Sequence, residues 1–376
     1  MLKVAIVYHM WPHYRRAVME ALDRSDRIEY VFLGSGQSLD GVLHVDPATV
    51  KRFRRAPFKL FRQFLWQPEA IKFAATERLD AIIFLGNPNF LSTWIAAWIA
   101  RRRRISVLFW EHGWRRPEAP AKSKLRLIFF GLADRVLVYA PRAKRLGSAA
   151  GYPEDRIDVV YNSLDYPASN RFYDLISRGE LADVQPNSLF TQRDNPIIIC
   201  TARLTMACRF DLLFEAVKIL RARGVRCNVL LVGDGPMMQP LKDMATERML
   251  PVYFYGPCYD EHVLSQLLYR STVTVSPGKV GLTAMHSLMY GTPVITHDNN
   301  DEQMPEVEAI QEGVTGARYK QNDPESLANA ISNWIERDID RDQVRAYCRN
   351  EIVARWNPEV QAEIIERSIS RAVSHG

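Results

Sequence analysis

The stretch SPGKVGLTAMHSLMYGTPVITHD, residues 276–298, decides the fold. It begins within an apolar run, VTVSPG at 273–278, continues through a helical segment over 282–290, and ends in a second apolar run, PVITHD at 293–298. A Gly-Thr-Pro turn ends the helical segment. A strand, a helix and a second strand in this order are typical of a parallel sheet with crossover helices.

Apolar runs of the same kind recur along the chain in two sets, separated by a polar stretch at 166–195 that we interpret as an interdomain connection. The first set comprises LKVAIVYH at 2–9, YVFLG at 30–34, AIIFLG at 81–86, SVLFW at 106–110, RVLVYA at 135–140 and IDVVYN at 157–162. The second set comprises PIIICTAR at 196–203, CNVLLVGDG at 227–235, VYFYG at 252–256 and the two runs quoted above. Runs that are apolar throughout indicate strands covered on both faces. The sequence therefore predicts an α/β fold of two Rossmann-like domains, which we expect to face each other across a cleft.

A chain of 376 residues is long enough to bury two hydrophobic cores. We place an N-terminal domain at 1–175 and a C-terminal domain at 176–355. The segment 356–376 carries apolar residues at helical spacing. We expect this last helix to pack back on the N-terminal domain.

Charge separates the two halves of the chain. Residues 1–175 hold 28 Lys and Arg against 17 Asp and Glu, whereas residues 176–376 hold 21 against 26. The basic first half indicates a face that meets an anionic surface or substrate. The basic clusters carry no recognised nucleic-acid-binding motif, so we predict no nucleic-acid partner.

The apolar stretches are too short for a membrane span. FLSTWIAAWIA at 90–100 is about half the ~20 residues that a bilayer crossing needs. The first residues resemble a buried strand more than a signal peptide, so we expect a cytoplasmic protein. The five cysteines show neither zinc spacing nor a disulfide framework.

The loop before the 282–290 helix carries the strongest ligand signal. Gly278 and Gly281 permit close backbone approach, and the N–H groups of Gly281, Leu282 and Thr283 open the helix, where an anion binds favourably. His286 lies one helical turn beyond Leu282, which suits a hydrogen bond to a sugar hydroxyl. A lone histidine here would more often be a helix-packing residue, but the surrounding glycines favour the ligand interpretation.

Three other loops follow strands of the second half. Arg203 and Arg209 flank a helix start and suit a diphosphate, with surface ion pairs as an equally good interpretation. Gly233-Asp234-Gly235 makes a sharp turn, which turn geometry explains about as well as ligand contact does. The acids of 297–316 we interpret as a solvated face rather than as catalytic groups.

The second half resembles the group 1, or family 4, retaining glycosyltransferases of the GT-B fold over about residues 196–350. In the first half the resemblance is thinner. In the second half the resemblance is carried by ARL at 202–204, FDLLFEAV at 210–217, VLLVGDGP at 229–236, YFYG at 253–256, VGLTAMHSLMYGTPVI at 280–295 and EGVTG at 312–316. In the first half it is carried by EHGW at 111–114, ADRVLVYA at 133–140 and VVYNSLD at 159–165.

In the second half, the resemblance implies that Arg203 binds the donor diphosphate. The family's partner lysine aligns with Cys208, and we expect Arg209 to supply that charge. The family's two glutamates align with Gly278 and His286, so both are absent. We expect Lys279 and His286 to replace them in contacting the donor sugar and the ribose.

Three further residues complete the predicted donor site. They are Gly233, Asp234 and Tyr255.

In the first half, the resemblance places His112 against the donor sugar, where it would steady developing charge. The neighbouring Trp114 offers a ring for a sugar face and is assigned to the acceptor. His13, Tyr14 and Arg15, in the loop after the first strand, are further acceptor candidates. A surface helix explains that loop almost as well, and the family's Gly-Gly pair is missing there.

The reaction implied is transfer of a glycosyl group from a nucleoside diphosphate sugar to a hydroxyl, with retention and without a metal. The donor is a substrate, so no cofactor is predicted, and the acceptor is expected to be a glycan or a lipid-linked acceptor in cell-surface polysaccharide or glycolipid synthesis. The main alternative is a catalytically silent sugar-nucleotide-binding protein. A nicotinamide-dependent oxidoreductase is disfavoured because Gly-x-Gly-x-x-Gly is absent from the loops after the first strand of each half.

The segment 51–66, KRFRRAPFKLFRQFLW, holds six basic residues and no acid. Its apolar residues fit helical spacing, which predicts a basic amphipathic helix on the inner face of an anionic membrane. An amphipathic helix docked on its own domain is an equally good interpretation.

Overall fold

The computed structural model describes residues 1–38 and 43–374. Contacts divide the chain into two compact units, one of residues 1–165 with 355–376 and one of residues 166–354. Each unit is built on its own parallel sheet. The fold class predicted from the sequence, α/β with two Rossmann-like domains, is confirmed.

The first unit alternates strands and helices. Its strands are β1 (Leu2–Val7), β2 (Ile28–Gly34), β3 (Phe53–Arg55), β4 (Lys59–Phe61), β5 (Phe64–Trp66), β6 (Ala81–Leu85), β7 (Ser106–Glu111), β8 (Arg135–Val138) and β9 (Ile157–Val159). Its first five helices are α1 (Arg16–Asp23), α2 (Pro68–Thr76), α3 (Leu91–Arg102), α4 (Pro120–Phe130) and α5 (Pro141–Ala149). The main sheet has the order β3-β2-β1-β6-β7-β8-β9, and β4 and β5 form a separate antiparallel hairpin.

The second unit repeats this plan. Its strands are β10 (Ile197–Thr201), β11 (Asn228–Val232), β12 (Val252–Gly256), β13 (Val273–Ser276), β14 (Val294–His297) and β15 (Gly316–Tyr319). Its helices are α6 (Tyr166–Ser177), α7 (Phe210–Ala222), α8 (Met238–Glu247), α9 (Glu261–Arg270), α10 (Leu282–Met289), α11 (Pro324–Ile335) and α12 (Arg341–Arg355). The sheet order is β12-β11-β10-β13-β14-β15, which is the Rossmann order.

The last helix, α13 (Pro358–Ser374), returns to the first unit. Ala362, Ile365, Ile369 and Ala372 lie at helical spacing and are buried in the core that α1 shares with one face of the first sheet. Apolar burial of this stripe explains why a helix so distant in sequence belongs to the first unit.

Two sequence-based expectations about local structure are wrong. The stretch 166–195 is not only a connection, because it begins with α6, which packs on α9 within the second unit. The segment 51–66 forms no helix: β3 pairs with β2, and β4 pairs with β5. Pro57 lacks a backbone N–H and Arg62 has a left-handed φ of 55°, and both interrupt a continuous helix. Strand pairing therefore decides the local structure, despite the helical spacing of the apolar residues.

Candidate active site

The order of each sheet reverses at one point, and in open parallel sheets ligands bind outside the strand ends at such a point. In the second unit this point lies between β10 and β13. The loops that leave these two strands are 202–209 and 277–281, the loops that the sequence selected for anion binding.

Three glycines let the loops of the second unit pack backbone to backbone. A Cβ at Gly233 would lie 1.9 Å from the carbonyl oxygen of Ala202, and one at Gly278 would lie 2.1 Å from that of Ala207. A Cβ at Gly235 would also clash with loop backbone. Loop packing therefore accounts for Gly233 and Gly278, and neither needs a ligand to explain it.

Gly281 differs from these glycines. It is the N-cap of α10, and a Cβ there would lie no closer than 3.5 Å to any neighbouring atom, a side-chain carbon of Met304. The first amides of a helix have no intrahelical acceptor, so the N–H groups of Gly281, Leu282 and Thr283 are suited to an anion. Protein packing leaves room above this helix start.

The helix start is held by two side-chain hydrogen bonds. The Thr283 hydroxyl donates to the Thr201 carbonyl at 3.1 Å, which ties α10 to the end of β10. The buried Gln303 accepts from the Val280 amide at 2.7 Å and donates to the Thr296 hydroxyl and the His297 carbonyl. Gln303 was missed by the sequence analysis, because nothing local marks a glutamine that reaches back to another loop.

The two arginines of the 202–209 loop differ in their surroundings. Arg203 is exposed, and its guanidinium makes no hydrogen bond or ion pair with the described residues. Arg209 has a φ of 53°, pairs with Asp211 at 3.1 Å and donates to Asn322. The structure therefore leaves Arg203 available to a ligand, whereas the charge of Arg209 is already balanced by Asp211.

His286 has a protein partner. Its Nε2 lies 2.9 Å from Oε1 of Glu261, on the first turn of α9, and the Tyr290 hydroxyl donates to the same oxygen. The interactions with His286 and Tyr290 outweigh the effect of burial and lower the pKa of Glu261. The structure thus satisfies His286 within the protein, and it places beside it the carboxylate of Glu261, which the sequence analysis overlooked.

The remaining predicted donor residues lie on separate loops. Lys279 is exposed beside Gly278, and Asp234 is exposed with its Oδ1 accepting the Gly235 amide at 2.7 Å. Tyr255 is half-buried at the end of β12, and burial raises its pKa.

The acids of 297–316 are not all solvated, contrary to expectation. Glu306 is 2% exposed, and its Oε2 lies 4.0 Å from the position that a Cβ of Gly281 would occupy. A buried carboxylate beside a helix N-terminus is stabilised by the helix dipole. Glu306 therefore places a buried carboxyl group beside the start of α10.

In the first unit, His112 directly follows β7. Burial, with the positive charges of Arg115 and Arg15, lowers its pKa to about 4, so the imidazole is neutral at physiological pH. Its ring meets the ring of Tyr139 edge-on, with centroids 5.0 Å apart. A neutral imidazole can donate or accept a hydrogen bond without carrying charge.

A charged network holds the loop that carries His112. Arg126 of α4 donates to both carboxylate oxygens of Glu118, at 2.8 and 2.9 Å, and to Glu111 and the Gly113 carbonyl, at 3.0 and 3.2 Å. Burial raises the pKa of Glu111 to about 7 despite the Arg126 charge. The guanidinium fixes both ends of the loop around His112.

Two predicted acceptor residues are buried in the structure. Trp114 is 2% exposed and packs in the core against Phe130 and Tyr152, so it offers no ring face to a sugar. Arg15 is 6% exposed and lies over the rings of Trp110 and Tyr139, about 5 Å from each centroid. Tertiary contacts bury both residues: the Arg15 guanidinium donates to the Tyr139 hydroxyl at 2.5 Å, and the Trp114 ring packs against Gly147.

His13 is exposed and Tyr14 is half-buried, so both stay candidates. His9, which the sequence did not single out, lies at the start of the same loop, two residues after β1. Burial lowers its pKa to about 4, and its Nδ1 is buried without a hydrogen bond to the described residues. Two neutral histidines, His9 and His112, therefore follow strands of the first sheet.

Comparison with known proteins identifies this arrangement. The solved structure of HepE from Anabaena in complex with UDP superposes with a TM-score of 0.69 at 15% identity, covering 99% of this chain and all of that one. The lipopolysaccharide outer core galactosyltransferase WaaB, in its apo form, gives 0.69 at 16% identity, covering 98% and 99%. Two Rossmann-like domains of this kind define the GT-B fold class.

The family models divide the chain between them. The model described as "Glycosyltransferase Family 4" matches residues 14–166, and the model described as "Glycosyl transferases group 1" matches residues 183–351. The chain belongs to the group 1 / family 4 glycosyltransferases of the GT-B fold.

Curated relatives match over part of their length. A GDP-mannose-dependent alpha-(1-6)-phosphatidylinositol dimannoside mannosyltransferase of Mycobacterium tuberculosis is 28% identical over 144 residues, 38% of this chain and 36% of the relative. The alpha-D-kanosaminyltransferase of Streptomyces kanamyceticus is 25% identical over 210 residues, 54% and 52%. The matches thus span about a third to a half of these relatives.

Proposed function

We propose that this protein transfers a glycosyl group from a nucleoside diphosphate sugar to a hydroxyl of a glycan or a lipid-linked acceptor, with retention at the anomeric carbon and without a metal. The observation that carries the proposal is the open start of α10 beside an unpartnered Arg203, at the point where the second sheet reverses its order. Family membership and a fold shared with a UDP-bound protein support it.

The second unit would bind the donor. The amides of Gly281, Leu282 and Thr283 and the guanidinium of Arg203 would hold the diphosphate and take up its charge as it leaves. Lys279 is a further exposed cation in this loop, next to Gly278, where the family carries an acid. Together these groups supply positive charge where negative charge develops.

Glu261 would take the place of the glutamate that the family carries at position 286. His286 and Tyr290 both bind its Oε1, which orients the carboxylate and leaves Oε2 for a ribose hydroxyl. This assignment replaces the expectation that His286 itself contacts the donor.

The first unit would act on the transferred sugar and its acceptor. His112, neutral at physiological pH, would accept or donate a hydrogen bond to the sugar and not serve as a cation. His13 and Tyr14 would border the acceptor. The lipid-linked class of acceptor is supported by the name of the mycobacterial relative, which acts on a phosphatidylinositol dimannoside.

The experiment compares two arginine variants by calorimetric titration with uridine and guanosine diphosphates. Arg203→Ala is expected to weaken binding about tenfold or more, since one charged hydrogen-bonding partner of the diphosphate contributes about 1.5–3 kcal/mol. Arg226→Ala is the matched control, because Arg226 is also exposed but precedes β11, at the opposite edge of the sheet.

Equal affinities for the two variants would overturn the assigned diphosphate site. Turnover separates the enzyme from the silent binder: product formed from a radiolabelled donor, or slow donor hydrolysis, supports transfer. Binding without either would leave the chain a sugar-nucleotide-binding protein.

A further inference from the structure

The β4–β5 hairpin presents aromatic rings to solvent. Phe61 pairs with Phe64 and Lys59 pairs with Trp66, and these four side chains share one face because residues alternate between the faces of a strand. Phe61 is 73% exposed, Phe64 37% and Trp66 39%. Between them, Leu65 points to the other face and is 1% exposed. The outward face of the hairpin is therefore aromatic and uncovered.

Helix α3 exposes a second apolar stripe next to the hairpin. Leu91, Ile95 and Trp98 lie at helical spacing and are 44%, 41% and 52% exposed, whereas the small side chains of the opposite face are buried. The two elements adjoin, because the Leu65 amide donates to the Asn89 carbonyl at 3.0 Å, just before α3 begins. We call the exposed apolar residues of the outward hairpin face and of α3 the apolar patch; its members are Phe61, Phe64, Trp66, Leu91, Ile95 and Trp98.

Cations without acidic partners surround the apolar patch. Lys59 lies on the aromatic face, the Arg62 guanidinium lies 5.8 Å from the Phe61 ring centroid, and that of Arg102 lies 4.7 Å from the Trp98 centroid. None of the three forms a salt bridge with the described residues. Arg101 shows the contrast, since it pairs with Asp134 at 2.7 Å. The charge of the patch is therefore positive and unbalanced.

The size of these elements fits the surface of a bilayer. Helix α3 has 12 residues, a length of about 18 Å, against about 30 Å for the hydrocarbon core. Among residues 1–38 and 43–374, no helix is long and apolar enough to cross a membrane. Aromatic rings prefer the interface of a bilayer, and Lys and Arg next to them reach lipid phosphates.

We propose that the apolar patch and the cations around it bind the surface of an anionic lipid bilayer. Apolar burial and charge attraction then act together, which is how interfacial segments hold to membranes. A protein partner fits less well, because the centres of protein interfaces are depleted of charge and Lys59 lies among the rings of this face. The proposal is independent of the donor site, which lies in the other unit.

The test is flotation of the full chain with vesicles of phosphatidylcholine, alone or mixed with phosphatidylglycerol. Binding is expected only to the mixed vesicles and is expected to fall as salt rises. The double variant Phe61→Ser/Phe64→Ser should lose at least about tenfold in vesicle affinity. Lys59→Gln and Arg62→Gln should each lose about fivefold.

Two controls keep the outcome interpretable. Tyr259→Ser removes a ring that is 94% exposed in the second unit and should leave vesicle binding unchanged. Uridine diphosphate binding by each patch variant should equal that of the parent chain, which shows that the variant is folded.

Three results would overturn the proposal: no binding to mixed vesicles, equal binding to neutral vesicles, or the same loss in Tyr259→Ser. If the chain does not bind vesicles but is a dimer, and Phe61→Ser/Phe64→Ser converts it to a monomer, the patch binds a second copy of the chain instead. Vesicle binding without nucleotide binding would refute the donor site and leave the membrane proposal standing.

Discussion

Replacing Glu261 by Gln tests the part of the site that differs most from the family pattern. Glu261 accepts two hydrogen bonds on one oxygen, from His286 at 2.9 Å and from Tyr290. Hydrogen bonds to a charged group contribute about 1.5–3 kcal/mol each and neutral ones about 0.5–1.5. Because Gln keeps an acceptor oxygen, and because the Glu261 side chain is 35% exposed, we expect a loss of about 1 kcal/mol of unfolding free energy.

This loss corresponds to a fall in Tm of about 2–4 °C for a unit of this size. The lowered pKa of Glu261 sets the pH dependence. Its contribution is present above the ordinary value of 4.5 and is lost as the pH falls through the lower folded pKa, so the difference between the two proteins should shrink in acid.

The decisive assay is nucleoside diphosphate binding by titration calorimetry. If Oε2 of Glu261 binds the ribose, Glu261→Gln lowers affinity about tenfold, whereas Glu247→Gln, an exposed glutamate at the end of α8, leaves it unchanged. A lower Tm with unaltered affinity would refute the ribose assignment and leave Glu261 a purely structural partner of His286.

Three other outcomes follow from the same structure. Gly278→Ala forces a Cβ to within 2.1 Å of the Ala207 carbonyl oxygen and should cost at least about 1–3 kcal/mol by chemical denaturation; unchanged stability would mean that the two loops do not touch. Trp114→Ala should cost about 3–5 kcal/mol and leave the acceptor KM of the residual folded enzyme unchanged, and a raised KM in a stable variant would restore its acceptor role. The pKa of His112 is about 4 in the folded protein against an ordinary 6.5, so the unfolded chain takes up the proton first and the free energy of unfolding falls as the pH drops from 6.5 to 4. His112→Gln should flatten this pH dependence in urea titrations, and an unaltered slope would contradict the burial of the imidazole.

The sequence predicted most strands because their apolar runs are long and uniform, as burial on both faces requires. It also located the loops at the carboxyl ends of β10 and β13, since glycines and arginine before a helix are local signals. Even the end of α10 was readable: Gly291 has a φ of 72°, which favours glycine. These features depend on residues that are neighbours in the chain, so the sequence alone predicts them.

Tertiary contacts decided the rest. Sequence spacing makes 51–66 helical, but pairing of Phe53 with Phe32 and the turn at Arg62 convert it to strands. Trp114 lies two residues after His112, where its ring could face either a sugar or the core. Packing against Phe130 and Tyr152 places it in the core.

The partner of His286 depends on the tertiary structure in the same way. The sequence determined by itself that the family's glutamate is absent, because identity at a position is local information. It could not show that Glu261, 25 residues earlier, brings a carboxylate to His286, since that contact exists only when α9 packs beside α10. Side-chain partners across helices depend on the fold, and hydrogen bonds of a few ångströms form only after distant segments have come together.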